Sequence, residues 1–109
     1  EKASRWTEAV QERERALEAN PEDPGLLLDH GLTLARARRY REASVALARA
    51  EQAMPLNARI PYQMGQVAMA DGRTEEAMAA YRRFAAIAPS RFDPQLKALE
   101  AKYGSLRAR

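Results

Sequence analysis

The sequence RYREA at residues 39–43 occurs in related form twice more, as RWTEA at residues 5–9 and as RTEEA at residues 73–77. The copies are 34 residues apart, and arginine, glutamate and alanine occupy the same positions in each. Two further columns keep the same interval: Arg15, Arg49 and Arg83, and Pro21, Pro55 and Pro89. A period of this length is typical of stacked supersecondary units, each too small to bury its own apolar face.

The unit that follows the first copy predicts two helices joined by a short turn. Asp23 is a typical N-cap residue and Pro24 a typical first helical residue, so a helix is predicted to begin there. A turn is predicted near residues 37–39 and a second helix over residues 40–54, since Pro55 disfavours helix in the residue before it. The predicted inward positions are Leu27, Gly31 and Leu34 on the first helix and Ala43, Leu47 and Ala50 on the second.

The next unit repeats this arrangement. Its first helix is predicted after Asn57 and nearer Ile60, because Pro61 would lose a backbone hydrogen bond in a helix that starts earlier. The sequence DGR at residues 71–73 predicts the turn, and Thr74 is predicted to cap the second helix. The predicted inward positions of that helix are Ala77, Tyr81 and Phe84.

A last helix is predicted after the third proline of the period. Asp93 and Pro94 repeat the pair at residues 23–24 and predict a capped start, and Gly104 predicts the end. Its apolar stripe is Leu96, Leu99 and Tyr103. The predicted segments are therefore the second helix of a truncated repeat (residues 1–23), two full repeats (24–57 and 58–91) and a capping or following helix (92–109).

Two glycines lie in the middle of predicted helices, where glycine costs about 1 kcal/mol relative to alanine. Gly31 and Gly65 occupy the same column of the repeat, so a gain in packing should offset that cost. We expect the partner helix to approach closely there, with Ala43 and Ala77 supplying a matching small surface.

These spacings resemble the tetratricopeptide repeat, whose pattern is W-x2-L-G-x2-Y, then A-x3-F, then P. The two full units read Leu27-x2-His30-Gly31-x2-Leu34, then Ala43-x3-Leu47 and Pro55, and Pro61-x2-Met64-Gly65-x2-Ala68, then Ala77-x3-Tyr81 and Pro89. The departures are His30 for an aliphatic residue, Pro61 for an aromatic one and Ala68 for the tyrosine. The resemblance covers residues 4–89 and implies an all-α fold, a right-handed α-solenoid of helix-turn-helix repeats.

The residue types needed for most catalytic and metal sites are scarce. The 109 residues include one histidine and no cysteine, and the five glycines are scattered. Cysteine–histidine dyads, thiolate metal sites and glycine-rich phosphate loops therefore lack their parts. His30 is interpreted as a packed structural residue, and no catalytic, cofactor-binding or metal-binding residue is predicted. The sequence is interpreted as that of a non-enzyme.

The charge and hydropathy limit the classes of partner. Although the isoelectric point is about 9.6, the arginines at 36, 38, 39 and 41 are not interleaved with stacking aromatic residues, which disfavours nucleic-acid binding. No apolar run approaches the roughly 20 residues that span a bilayer. The chain does not begin with Met, and we interpret it as a fragment of a longer protein whose compartment, bacterial periplasm or cytoplasm, stays open.

The resemblance implies that the first helix of each pair lines a concave surface that binds a protein or peptide. The residues predicted to face it are Leu28, Leu32, Ala35 and Arg36 in one unit and Arg59, Tyr62, Gln66 and Met69 in the next, with Leu96, Glu100 or Tyr103 from the last helix. The arginines favour an acidic partner. Leu28 and Leu32 either contact a partner or are covered by a neighbouring helix, and the sequence leaves both alternatives open. The lysine and asparagine clamp with which some family members hold acidic chaperone tails is absent.

The resemblance and the composition are compatible with two functions. The first is a non-catalytic interaction module that binds its partner in the groove. The second is an architectural spacer in a bacterial secretion, exopolysaccharide-export or envelope assembly, suggested by the alanine- and arginine-rich style of bacterial family members. Apolar surface is also expected near the ends, around Trp6, Val10, Leu17 and Leu106, and would promote self-association.

Overall fold

A computed structural model describes residues 2–107 of the protein, with side chains from residue 5 onward. Within that range the chain forms six α-helices, one short 3-10 helix and no strand, as the sequence predicts for an all-α fold. The helices are α1 (Lys2–Ala19), α2 (Pro24–Arg36), α3 (Tyr40–Ala53), α4 (Arg59–Ala70), α5 (Thr74–Ile87) and α6 (Asp93–Tyr103), with the 3-10 helix at Ser90–Phe92. Residues 1, 108 and 109, which the sequence places in the first and last segments, lie outside the described residues.

The chain divides into two compact units, unit 1 (Glu1–Pro55) and unit 2 (Leu56–Arg109). In unit 1, α2 packs against both α1 and α3. Helices α2 and α3 form an antiparallel hairpin. Gly31 lies against Leu47 in the middle of the two helices, and Arg49 near the end of α3 donates to the Pro21 carbonyl oxygen before α2, at 2.9 Å. In unit 2, α4 and α5 form the corresponding hairpin.

The predicted turns at residues 37–39 and 71–73 have the same backbone hydrogen bonding. The Arg39 N–H donates to the Leu34 carbonyl at 2.9 Å, and the Arg73 N–H donates to the Ala68 carbonyl at 2.8 Å. Each turn passes through the left-handed region, at Arg38 (φ 64°) in unit 1 and at Gly72 (φ 76°) in unit 2. Glycine adopts this conformation without strain, so unit 2 has the more favourable turn residue.

In two of its three copies, the arginine and glutamate of the opening phrase form an ion pair at the start of a second helix, α3 or α5. Arg39 donates to both carboxylate oxygens of Glu42, at 2.9 and 2.6 Å. Arg73 binds Glu76 in the same i, i+3 arrangement and also Asp71, at 2.8 Å. The glutamates lie in the first helical turn, where the helix dipole favours negative charge. The phrase therefore fixes the junction between the turn and the second helix.

Helix starts follow the sequence with two corrections. The Asp23 carboxylate caps α2 by accepting from the Leu26 N–H at 3.1 Å, as predicted. The predictions that Thr74 caps α5 and that Asp93 caps α6 are wrong, because each is the first residue of its helix and no side chain caps either start. For α6 the 3-10 helix before it takes the place of a cap.

Helix α4 begins one residue earlier than predicted, at Arg59, whose N–H donates to Asn57 Oδ1 at 3.1 Å. Pro61 is then the third helical residue. The first turn of a helix has no intrahelical partners for its N–H groups, so proline there removes no hydrogen bond.

Both helix glycines accommodate the partner helix, but a large side chain of that helix, rather than the predicted alanine, lies nearest to each. A Cβ atom added at Gly31 would lie 2.7 Å from Cγ of Leu47, and one added at Gly65 would lie 2.8 Å from Cζ of Tyr81 and closer to two other ring atoms. The glycines therefore make room for a large side chain four residues beyond the predicted alanine. The predicted Ala43 is also close to Gly31, with its carbonyl oxygen 3.4 Å from the added Cβ.

The core of unit 2 extends past its last helix. Its buried members are Ala58, Ala68, Ala77, Tyr81, Phe84, Leu96, Leu99 and Leu106. The chain turns at Gly104 (φ 90°), and the Leu106 N–H donates to Glu100 Oε2 at 3.0 Å. The expectation of exposed apolar surface is therefore wrong for Leu106, and also for Val10, which is fully buried. Trp6 and Leu17 are half-buried.

Candidate partner-binding cleft

Helices α4 and α6 border an opening in unit 2 with a volume of about 410 Å³, which we call the α4–α6 cleft. Helix α4 contributes Tyr62, Gln66, Met69 and Ala70, helix α5 contributes Tyr81, and helix α6 contributes Gln95, Ala98, Leu99, Lys102 and Tyr103. Seven of these ten residues are apolar or aromatic, and Gln66, Gln95, Lys102 and the tyrosine hydroxyls add polar groups. A concave site of this composition suits an apolar side chain of a ligand.

Stacked aromatic rings form the wall of the cleft. The centroid of the Tyr62 ring lies 5.1 Å from that of Phe84 and 6.3 Å from that of Tyr81. The Tyr81 ring stacks on Tyr103 at 5.7 Å with an interplanar angle of 22°. Contacts of this geometry add to the stabilisation from burial and hold the rings in place. The wall of the cleft is therefore preformed by the packing of the core.

The cleft has one charged side chain among its lining residues. The Lys102 ammonium lies 5.4 Å from the centroid of the Tyr103 ring, within range of a cation–π interaction. Burial beside Tyr103 and Tyr62 raises the pKa of Tyr81 to about 12, so its hydroxyl stays neutral at physiological pH. Gln95 also lines the cleft, and its Oε1 atom is buried without a hydrogen-bond partner within the described residues.

Three of the residues predicted on α4 lie together in this cleft: Tyr62, Gln66 and Met69. Arg59 is exposed at the first position of the helix and does not line it. On α6, Tyr103 lines the cleft, whereas Leu96 lies in the core and Glu100 accepts from the Leu106 N–H. The sequence analysis missed Gln95, Leu99 and Lys102 as lining residues. A signal was present, because Gln95 and Lys102 lie four residues before and three residues after Leu99, on one face of the helix.

The residues predicted in unit 1 have different environments. Leu28 is 8% exposed, so the protein itself covers most of its side chain. Leu32 and Ala35 are half-buried. Arg36 is exposed, and its guanidinium lies 5.8 Å from the centroid of the Trp6 ring on α1.

His30 lines a second opening, of about 290 Å³, bordered by helices α1, α2 and α3 of unit 1. It is half-buried, and its Nδ1 atom is buried without a partner within the described residues. Burial lowers the pKa of His30; Glu14 and Glu42 raise it, and Arg39 and Arg13 lower it further. The neighbouring leucines in the opening are Leu17, Leu27 and Leu34.

We expect His30→Leu to stabilise the protein by about 1 kcal/mol at neutral pH, because leucine adds apolar burial and removes an unpartnered polar atom. The lowered pKa means that the unfolded chain binds a proton more readily than the folded one. Wild-type stability should therefore be full above pH 6.5 and fall as the pH drops through the folded pKa.

Urea unfolding at pH 7.5 and 5.5 measures both effects. His30 is the only histidine, so the variant should lose the pH dependence in this range. His30→Gln is the matched control, since it removes the titration but keeps a polar side chain. A variant that retains the full pH dependence would show that other groups cause it.

Each unit contains a hairpin with a glycine notch, which is the space at Gly31 or Gly65 that a large side chain of the partner helix fills. Each hairpin also has an arginine–glutamate pair at the start of its second helix. These repeated features define a helical-repeat protein. Comparison with protein families matches residues 34–103 to the tetratricopeptide repeat. The chain therefore belongs to the tetratricopeptide repeat family, whose members are typically non-catalytic modules that mediate protein–protein interactions. No curated protein matches the sequence.

No helix within residues 2–107 combines the length and the apolar character that a bilayer crossing requires. In the same part of the chain, no three histidine, aspartate or glutamate side chains are grouped as metal ligands would be.

Proposed function

We propose that this chain binds a protein or peptide through the α4–α6 cleft of unit 2. One observation carries the proposal: Tyr62, Gln66 and Met69, three of the four residues predicted to face a partner from α4, border the same opening as Leu99 and Tyr103 of α6. An apolar side chain of the partner would enter between Met69 and the tyrosine rings. Because the core already fixes those rings, binding would require little ordering of the protein.

In unit 1, Leu32 and Arg36 are proposed as further contacts. Leu32 is half-buried and Arg36 exposed, so both retain surface for a partner, whereas Leu28 offers little. Arg59 is exposed on unit 2 and is proposed on the same grounds. These contacts are secondary to the cleft, since none of them lines either of the two openings described above.

The test is a substitution that fills the cleft without disturbing the core. Gln66 lines the cleft and is exposed, so Gln66→Trp should place an indole in the opening and leave the fold intact. Gln52→Trp is the matched control, because Gln52 is exposed on α3 of unit 1. Peptides selected by display on the whole chain would then be titrated against wild type and both variants by isothermal calorimetry.

We expect Gln66→Trp to weaken binding at least about tenfold, the loss of about 1.4 kcal/mol that excluding one anchor side chain would cause. Gln52→Trp should bind as wild type does, and circular dichroism should show the same helix content in all three proteins. Equal affinity of both variants would contradict the cleft as the binding site. A selection that returns no peptide would favour the architectural spacer instead.

A further inference from the structure

The charges around the α4–α6 cleft are unbalanced. Lys102 is the only charged residue among those that line it, and no carboxylate within the described residues lies in salt-bridge distance of its ammonium. Burial raises the pKa of Tyr81 to about 12, so its hydroxyl is neutral and does not compensate the charge of Lys102. The rim therefore presents an unpaired positive charge next to an apolar opening.

We propose that the cleft selects a peptide in which an apolar side chain is followed or preceded by an aspartate or glutamate, with the apolar group between α4 and α6 and the carboxylate on Lys102. This inference rests on the proposed function and adds the chemistry of the partner. Lys102 is exposed and lies at the edge of the opening, so an acidic side chain reaches it while the neighbouring anchor is inserted.

The carboxylate is that of a side chain and not of a C-terminus. A terminal carboxylate is usually held by a group of backbone N–H donors, often in a loop or at a helix start. Gln95 is the one lining residue in the first turn of a helix, and the N–H groups of the other lining residues are used within their helices, so the cleft offers no group of free N–H donors. A single lysine suits a side-chain carboxylate on a chain that continues past it.

The three tyrosines alone would suit a cationic ligand, since aromatic faces attract ammonium groups. Lys102 argues against this occupant, because its ammonium already lies 5.4 Å from the centroid of the Tyr103 ring and would repel a second cation. Gln95 fits a peptide, because a half-turn of its amide presents either an acceptor or donors to the partner's backbone.

The experiment uses acetylated, C-terminally amidated decapeptides of glycine and serine with a central pair of residues. The first residue of the pair is Leu, Phe or Trp, and the second is Asp, Asn or Lys. Each peptide is titrated into the whole chain at low salt, and amide NMR shifts report where and how tightly it binds. Lys102→Glu is the test variant, and Lys97→Glu is the matched control, since Lys97 is exposed on the same helix and does not line the cleft.

We expect Asp peptides to bind about threefold more tightly than Asn peptides, the worth of one exposed ion pair, and Lys peptides to bind most weakly. Lys102→Glu should reverse that order, and Lys97→Glu should preserve it. Equal affinity for Asp and Asn, with shifts at Gln66 and Tyr103, would overturn the acidic preference and leave the proposed function standing. An unchanged order in Lys102→Glu would also overturn it. No cleft shifts with any peptide would overturn both proposals.

Discussion

Replacing Gly65 with alanine is expected to lower the free energy of unfolding by about 2 kcal/mol, although alanine is the better helix former. The substitution gains about 1 kcal/mol of helix propensity. Against that gain, the new methyl group would lie 2.8 Å from Cζ of Tyr81 and closer to two other atoms of the same ring. The ring cannot rotate away cheaply, because it is 1% exposed and stacks on Tyr103. Overpacking of a tight core typically costs about 1–3 kcal/mol, and the upper end of that range applies here because the methyl group would lie closer to the ring than real Cβ contacts do.

Urea unfolding gives the total loss, and amide hydrogen exchange over α4 and α5 assigns it to unit 2. Gln66→Ala, at the next residue of α4, is exposed and should leave stability nearly unchanged. Gly31→Ala should cost less than Gly65→Ala, since the obstructing Leu47 side chain is more flexible than a tyrosine ring. In a Tyr81→Leu background the penalty of Gly65→Ala should shrink. An equal penalty in both backgrounds would mean that the ring is not the obstacle.

The helices could be predicted because their boundaries depend on local chemistry. Prolines end α3 and α5 near the predicted positions, and Asp23 caps α2 through its own carboxylate. The caps predicted at Thr74 and Asp93 failed because a shift of one residue turns a cap into a first helical residue, and the sequence pattern is the same in either case. The 3-10 helix at Ser90–Phe92 decides that shift for α6, and short sequences of this kind carry little signal.

The glycine notches show what periodicity leaves undecided. The sequence indicates that Gly31 and Gly65 need a close neighbour, but two residues of the partner helix lie on the same face four apart. The alanine and the larger residue both satisfy the repeat. Only the offset between the packed helices decides that Leu47 and Tyr81 enter the notches.

Only the part of the candidate site that lies on one helix could be predicted from the sequence. Tyr62, Gln66 and Met69 share one face of α4, so their spacing alone placed them together. Gln95 and Lys102 belong to a different helix, and their contribution depends on how α6 packs against the hairpin. The burial of Leu106 beyond Gly104 has no periodic signal at all.

Phe84 supports both the core of unit 2 and the wall of the cleft, and Phe84→Ala is expected to have the largest effect of any substitution considered. The side chain is fully buried, with its ring centroid 5.1 Å from that of Tyr62 and 5.7 Å from that of Phe92. Deleting a buried phenylalanine ring typically costs about 3–5 kcal/mol, from lost burial and the cavity left behind. Domains are stable by only about 5–15 kcal/mol, so the substitution would remove a large fraction of the stability of unit 2.

Phe84→Leu separates the loss of volume from the loss of the aromatic contact. Leucine retains much of the apolar volume, so we expect a cost of about 1 kcal/mol and a folded unit 2. Tyr62 would lose its ring contact with Phe84 and become less well positioned. Aromatic pairs contribute about 0.5–1.5 kcal/mol, so peptide affinity should fall about twofold to threefold. Urea midpoints and calorimetric titration with a selected peptide measure the two effects. A free energy of unfolding for Phe84→Ala within about 1 kcal/mol of wild type, measured by urea, would contradict the role of Phe84 in the core. If Phe84→Leu binds the peptide as tightly as wild type, Phe84 does not position the cleft wall, and Tyr62 must be held by its contact with Tyr81 instead.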